Sequence, residues 1–178
     1  QLGQQGGFLN NPQLRIPLPG YLGDAAKLMR RFGQGRYVDE VEQGINRAAE
    51  AAVPMGKDVL LGAVQSMTVS DAKQILTGGD NSVTDFFVGK TRTPLTQRFL
   101  PVVTDATNQV GVVQQYNQLL GKASALGIQS GNLDLNQYVT GKTLDGLYTV
   151  IGEQERQIRQ DPVGSASAVV RKVFGALK

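Results

Sequence analysis

At 178 residues, 40% hydrophobic and 19% charged, the chain has the composition of one globular domain rather than of a disordered segment. It contains no histidine, cysteine or tryptophan, which excludes Ser-His and Cys-His nucleophile pairs, thiol redox chemistry and ordinary zinc sites. The net charge of +3 is mild, and the one basic cluster, Lys27, Arg30, Arg31 and Arg36, lacks the stacking aromatics of a nucleic-acid surface, so no nucleic-acid partner is expected.

No apolar run approaches the roughly 20 residues that span a bilayer. The absence of cysteine leaves the compartment open, since exported bacterial proteins also lack it. The chain opens on Gln1 rather than Met, and the expectation is a start inside a longer precursor, with any signal peptide or lipid anchor upstream.

Residues 1–20 read as an extended, proline-containing arm. Leu14, Ile16 and Leu18 alternate with Arg15 and Pro17, a period of two, but two prolines forbid a central strand. Three aliphatic side chains laid onto a helical body fit better. From Tyr21 the pattern is helical. Residues 21–32 place Leu22, Ala25, Leu28, Met29 and Phe32 on one face, and Gly33 stops the run. Over 36–53, Val38, Val41, Ile45, Ala48 and Ala52 form a seam at spacings of three and four. Pro54 ends that helix, and a third is expected from 55 to 67.

Thr68 with Asp71 resembles a capping box opening a short helix with Ala72, Ile75 and Leu76. Gly78-Gly79 supplies a left-handed stop, and Asp80 is expected to cap a helix carrying Val83, Phe86 and Phe87. Thr93-Pro94 reads as a cap with proline at the first helical position. That helix carries Leu95, Phe99, Val102, Val103, Ala106 and Val110, with Pro101 kinking its interior. Gly111 separates it from 112–122, and 123–133 reads as a loop. Asp134 with Gln137 opens a helix to Arg159 with Leu144, Leu147, Tyr148, Ile151 and Ile158 on one face. Glu155 and Arg159 stand in the favourable i,i+4 order. Asp161-Pro162 starts a last helix through Phe174. The expected fold is all-α, a compact bundle of about eight helices, with residues 21–178 as one helical domain.

Near-motifs fail on spacing or on context. Gly89-Lys90-Thr91 and Gly141-Lys142-Thr143 lack the upstream P-loop glycine, because Thr84 and Asn136 stand there. Ser70-Asp71-Ala72-Lys73 has the Ser-x-x-Lys spacing without the companion elements of that chemistry. Asn132, Asp134 and Asn136 begin like a calcium loop, but Gln137 and Thr143 occupy its required glycine and glutamate positions. Asp80-Asn81-Ser82-Val83-Thr84 lacks the buried strand that such an ion site follows. Carboxylates remain for acid-base work, and sequence does not bring two of them across a cleft. No metal and no cofactor is expected.

The order of several stretches is nonetheless distinctive. They are Phe8-Leu9-Asn10-Asn11-Pro12, Arg15-Ile16-Pro17-Leu18-Pro19 and Asn46-Arg47-Ala48-Ala49-Glu50-Ala51-Ala52-Val53-Pro54, then Ile75-Leu76-Thr77-Gly78-Gly79-Asp80. Tyr138-Val139-Thr140, Leu144-Asp145-Gly146-Leu147, Ile158-Arg159-Gln160-Asp161-Pro162 and Lys172-Val173-Phe174-Gly175 complete the set. On these the chain resembles DUF4197, a bacterial family of unknown function. The resemblance implies an exported protein with an N-terminal signal, in the periplasm or envelope, and carries no activity. It also isolates polar residues off the apolar seams: Asn46, Arg47, Glu50, Asp80, Tyr138, Lys142 and Asp145. Either a second layer such as the N-terminal arm covers them, or they form a binding surface. The expected function is a non-enzymatic, exported helical module, binding or structural, whose partner is a protein or an envelope component. Alternatives are a carrier of a lipid or apolar small molecule in an interhelical cavity lined by Phe86, Phe87 and Phe99, and a carboxylate-dependent hydrolase.

Overall fold

The computed structural model describes residues 2–127 and 133–161. All its regular elements are helical. They are α1 (Gly20–Arg31), α2 (Gly35–Ala52), a 3-10 turn (Val53–Gly56), α3 (Lys57–Gln65), α4 (Val69–Thr77), α5 (Ser82–Gln109), α6 (Val112–Ala125) and α7 (Leu135–Gln160). α5 and α7 pack along each other, and α2 lies against both. α1 and α6 cover α2 from other sides, and α3 and α4 lean on α5.

The α2 seam is buried as the periodicity requires: Val38, Val41, Ile45 and Ala52 are fully buried, and Ala48 nearly so. Where α6 crosses, Gly44 faces the side chain of Val112 with no room for a Cβ. α5 presents Thr91, Leu95, Phe99, Val103 and Thr107, one residue every four, to the core. Gly33 and Gly111 take positive φ at the two stops assigned to them, +73° and +66°. The capping box at Thr68 and Asp71 forms reciprocally, with 3.1 Å from the Asp71 amide to Thr68 Oγ1 and 2.9 Å from the Thr68 amide to Asp71 Oδ2. Lys90 adds an ion pair to Asp71 at 3.7 Å, and the Thr68 amide and hydroxyl hold the Asp71 carboxyl below its ordinary pKa.

Several expectations need correction. Among the described residues the helices are fewer than eight, because the segments assigned to 80–87 and 93–110 are one 28-residue helix, α5, with Pro94 and Pro101 inside it. Thr93 therefore caps nothing. Burial of Leu95, Phe99 and Val103 on one continuous face outweighs the amide bonds the prolines omit. Gly78 is not left-handed. Its φ is −79°, and its use is space: a Cβ there would meet Gln74 O and Ser82 Cβ at 2.6 Å. Asp80 does not cap α5, whose flanking residue is Asn81 with no side-chain cap bond. Phe32, Leu76, Val110 and Ile158 are exposed rather than inward. Phe32 and Val110 lie just past the ends of α1 and α5, and α4 buries none of its residues fully. α6 extends to Ala125 into the segment read as a loop. The helix expected over 162–174 lies outside the described residues.

The N-terminal arm is extended only over residues 15–19. Residues 2–14 form successive turns, with Asn10 N bonding Gly6 O at 3.1 Å and Arg15 N bonding Asn11 O at 2.8 Å. Phe8, Leu14, Ile16 and Leu18 are buried in the same core as the helices.

Candidate functional site

Two polar assemblies account for most of the singled-out residues. The first is a rail on α2. Glu42, Asn46 and Glu50 repeat every four residues on one face, and all three are buried. Asn46 Oδ1 accepts from Ile16 N at 2.8 Å, and its Nδ2 donates to Ile16 O at 2.9 Å and to Glu42 O at 2.7 Å. The Glu50 carboxylate accepts from the Phe8 and Leu9 amides at 3.0 and 3.2 Å. Glu42 pairs with Arg15 at 2.6 Å and with Arg30 at 3.4 Å. On α7, Tyr138 donates its hydroxyl to Pro17 O at 2.9 Å. The backbone groups in these bonds belong to the arm, apart from Glu42 O. The rail does for an irregular segment what a neighbouring strand does for a β-strand, satisfying its amides out of water.

The second assembly is a groove of about 360 Å³ between α5 and α7. It is lined by Asn81, Thr84, Val88 and Arg92 from the α5 side and by Asp145, Tyr148, Thr149, Gly152 and Arg156 of α7. The helices run antiparallel here, since Thr84 meets Glu155 while Arg92 meets Asp145. Arg92 donates to Asp145 Oδ1 at 2.9 Å and lies 5.9 Å from the centre of the Tyr148 ring. The groove floor is fixed by Tyr148 and Thr91, whose oxygens are 2.9 Å apart. Thr91 commits its own proton to Phe87 O at 2.6 Å, so Tyr148 is the donor in that pair. Burial pushes the Tyr148 phenol above its ordinary pKa against the opposing pull of the Arg92 charge, keeping it a neutral donor at neutral pH.

The far end is closed by Glu155, which sequence showed only as a partner for Arg159. Its carboxylate accepts from the Val83 and Thr84 amides at 2.9 and 2.8 Å, from Thr84 Oγ1 at 2.8 Å and from Arg159 at 2.8 Å. It thus supplies the N-terminal cap that Asp80 does not, from the opposite end of the sequence. Burial raises its pKa, but the Val83 amide, Arg159 and Thr84 outweigh that and leave it below the ordinary carboxylate value.

The seven singled-out residues therefore do not converge. Asn46, Glu50 and Tyr138 hold the arm, and Asp145 belongs to the groove. Arg47, Asp80 and Lys142 are exposed, Arg47 on α2, Asp80 in the turn before α5 and Lys142 one turn after Tyr138 on α7. Arg92 and Arg156 stand in no motif, and Asn81 stands only in the Asp80–Thr84 ion-site pattern, which gives no sign of a groove. Only the pairing of α5 with α7 brings them together. Among the described residues no group of three or more acidic side chains is placed to hold a metal ion, and no helix is long and apolar enough to cross a membrane.

A family model described as a protein of unknown function, DUF4197, matches residues 1–175. The chain belongs to DUF4197. The match takes in both the arm and the helices that grip it, so the rail and the groove both lie within the DUF4197 region. No curated protein and no solved structure matches this DUF4197 chain.

Proposed function

We propose that the protein is an exported, non-catalytic binding module whose ligand or partner enters the α5–α7 groove. The observation that carries the reading is the groove itself. Its walls are pinned by Glu155 at one end and by the Thr91–Tyr148 and Arg92–Asp145 contacts along its length. A recess whose rims are already bonded loses little ordering entropy when occupied. Its lining offers one carboxylate, Asp145, and that group is paired with Arg92. Acid-base hydrolysis asks for two carboxyls facing each other with separate pKa values, so recognition is the better supported use. The carrier reading has less support. Phe99 is fully buried, with a Cβ on Gly56 falling 3.0 Å from its ring. Phe86 packs edge-on to Phe87 at 5.5 Å under Lys90. These aromatics are engaged in packing.

A photo-crosslinking residue at Val88, in the protein expressed in its native cells, is expected to yield a discrete adduct that is lost with Arg92→Ala. The same residue at Gln118, exposed on α6, should not yield it. Equal labelling from both positions would overturn the groove as the site. Export, which rests on the family resemblance, is checked by fractionation: recovery in the cytoplasm alone removes that part. Turnover of model ester, glycoside or phosphate substrates that disappears with Asp145→Asn would replace binding by hydrolysis.

A further inference from the structure

Within the groove the polar groups are unequally occupied. Thr84 and Thr149 commit their hydroxyl protons, to Glu155 at 2.8 Å and to Asp145 O at 2.9 Å. Arg92 is paired with Asp145. Arg156 and Asn81 are different. The Asn81 amide makes no cap bond, and neither side chain has a hydrogen bond or ion pair among the described residues. The acids nearest them in sequence are Asp80, Glu153 and Glu155; none bonds to either side chain, and Glu155 is already committed to the Val83 and Thr84 amides, Thr84 Oγ1 and Arg159. Asp145 does not neutralise Arg156, because 11 residues at 1.5 Å each put the two about 16 Å apart along α7, beyond the screening length of about 8 Å at physiological salt. The groove is therefore polarised. One end is a closed ion pair, and the other holds an unpaired guanidinium and a free amide beside the apolar surface of Val88 and Gly152.

We infer that the Asn81–Arg156 end of this groove is a carboxylate-binding site for an elongated ligand whose body lies over Val88 and Gly152 toward Tyr148. This rests on the groove being the binding site, as proposed above. A guanidinium fork and a carboxamide are donors that match the planar, two-oxygen face of a carboxylate. Along α5, the 8 residues from Thr84 to Arg92 span about 12 Å. That is the length of three to four extended residues at about 3.3 Å each, or of a medium-length acyl chain. The Arg92–Asp145 pair at the other end supplies a donor and an acceptor for the ligand's far end. The chemistry is the same for a peptide C-terminus and for a fatty acid, and the probes separate these two sources.

The test is an NMR titration of the whole chain with acetyl-Ala-Val-Leu carrying a free carboxylate, with the same tripeptide as its C-terminal amide, with octanoate and with inorganic phosphate. Saturable shifts are expected at the Asn81 side-chain amide, the Arg156 Nε–H and the Val88 and Gly152 amides. They should come from the free-acid tripeptide or octanoate and be absent with the amide. Arg156→Gln should weaken that binding about tenfold or more, as loss of a charge-assisted pair predicts, and Asn81→Ala less. Both side chains are exposed, so folding should persist, and thermal melting of each variant verifies it. Arg47→Gln, on α2 and outside the groove lining, should change nothing. No shift from either carboxylate, an unchanged affinity in Arg156→Gln, or equal binding of phosphate would overturn the assignment. A failure here alongside a groove-specific crosslink at Val88 would remove the carboxylate and leave the binding site, whereas loss of both removes the site.

Discussion

Asn46 acts as a fragment of backbone inserted into a helix face. Its carboxamide presents a donor and an acceptor to Ile16 in the geometry a neighbouring strand would use, with a second donor bond to Glu42 O. A carboxamide offers both polarities on separate atoms of one planar group. Asn46→Asp replaces the donor by an anionic oxygen facing two carbonyls in a fully buried site. It is expected to lower stability by about 3 kcal/mol or more, read from urea unfolding at pH 7. Thr140 is the opposite case: its Oγ1 is buried without a partner among the described residues. Thr140→Val keeps the shape and removes an unsatisfied group, so stability should hold or rise by about 1 kcal/mol. A drop on thermal melting would show that a water or another group serves the hydroxyl.

At the scale of elements, the start of α5 is capped from α7. With Asn81 making no cap bond, the Val83 and Thr84 amides depend on Glu155. Glu155→Gln keeps one acceptor but turns an NH2 group toward backbone donors, and should cost about 1–3 kcal/mol. The pH dependence fixes the sign. The folded-state pKa of Glu155 lies below its ordinary value near 4.5. The stabilisation is therefore complete above that value and is lost as pH falls through the folded pKa. Urea midpoints at pH 7 and pH 3.5 should differ more in the native chain than in Glu155→Gln, and equal slopes would refute the trans cap. This cap also shows where sequence reading stopped. The Thr68–Asp71 box and the Asp134 cap bond Asp71 and Gln137 three residues away, and such local bonds are legible from spacing. Glu155 serves amides more than 70 positions earlier, so Asp80 looked like the cap merely by standing next to the helix. Thr93-Pro94 misled for the same reason: local chemistry favours a helix start there, and burial of Leu95, Phe99 and Val103 carries the helix through.

For the whole molecule, the arm belongs to the core rather than to its surface. Alternation of Leu14, Ile16 and Leu18 made it readable as a segment laid on helices, and the polar stripe on α2 pointed to something covering it. Neither disclosed Phe8 as the anchor, since its socket is a glycine on α7. Burial of Phe8, Leu14, Ile16 and Leu18 contributes about 1.5–3 kcal/mol each. Their sum rivals the whole stability of about 5–15 kcal/mol typical of a domain. Removing residues 1–19 should therefore abolish cooperative unfolding rather than free a functional site, as a broad, low-amplitude calorimetric transition would report. The sharper test is Gly146→Ala. Alanine in mid-helix is ordinarily worth about 1 kcal/mol over glycine, and α7 is regular there. Here the new Cβ would sit 2.7 Å from the Phe8 ring, tighter than packed atoms allow, so the helix gain should be reversed into a net loss. Phe8→Leu, costly in the native background, should cost less in Gly146→Ala because the smaller side chain relieves the collision. If Gly146→Ala raises the melting temperature instead, Phe8 does not occupy that socket, and the arm is not seated by α7.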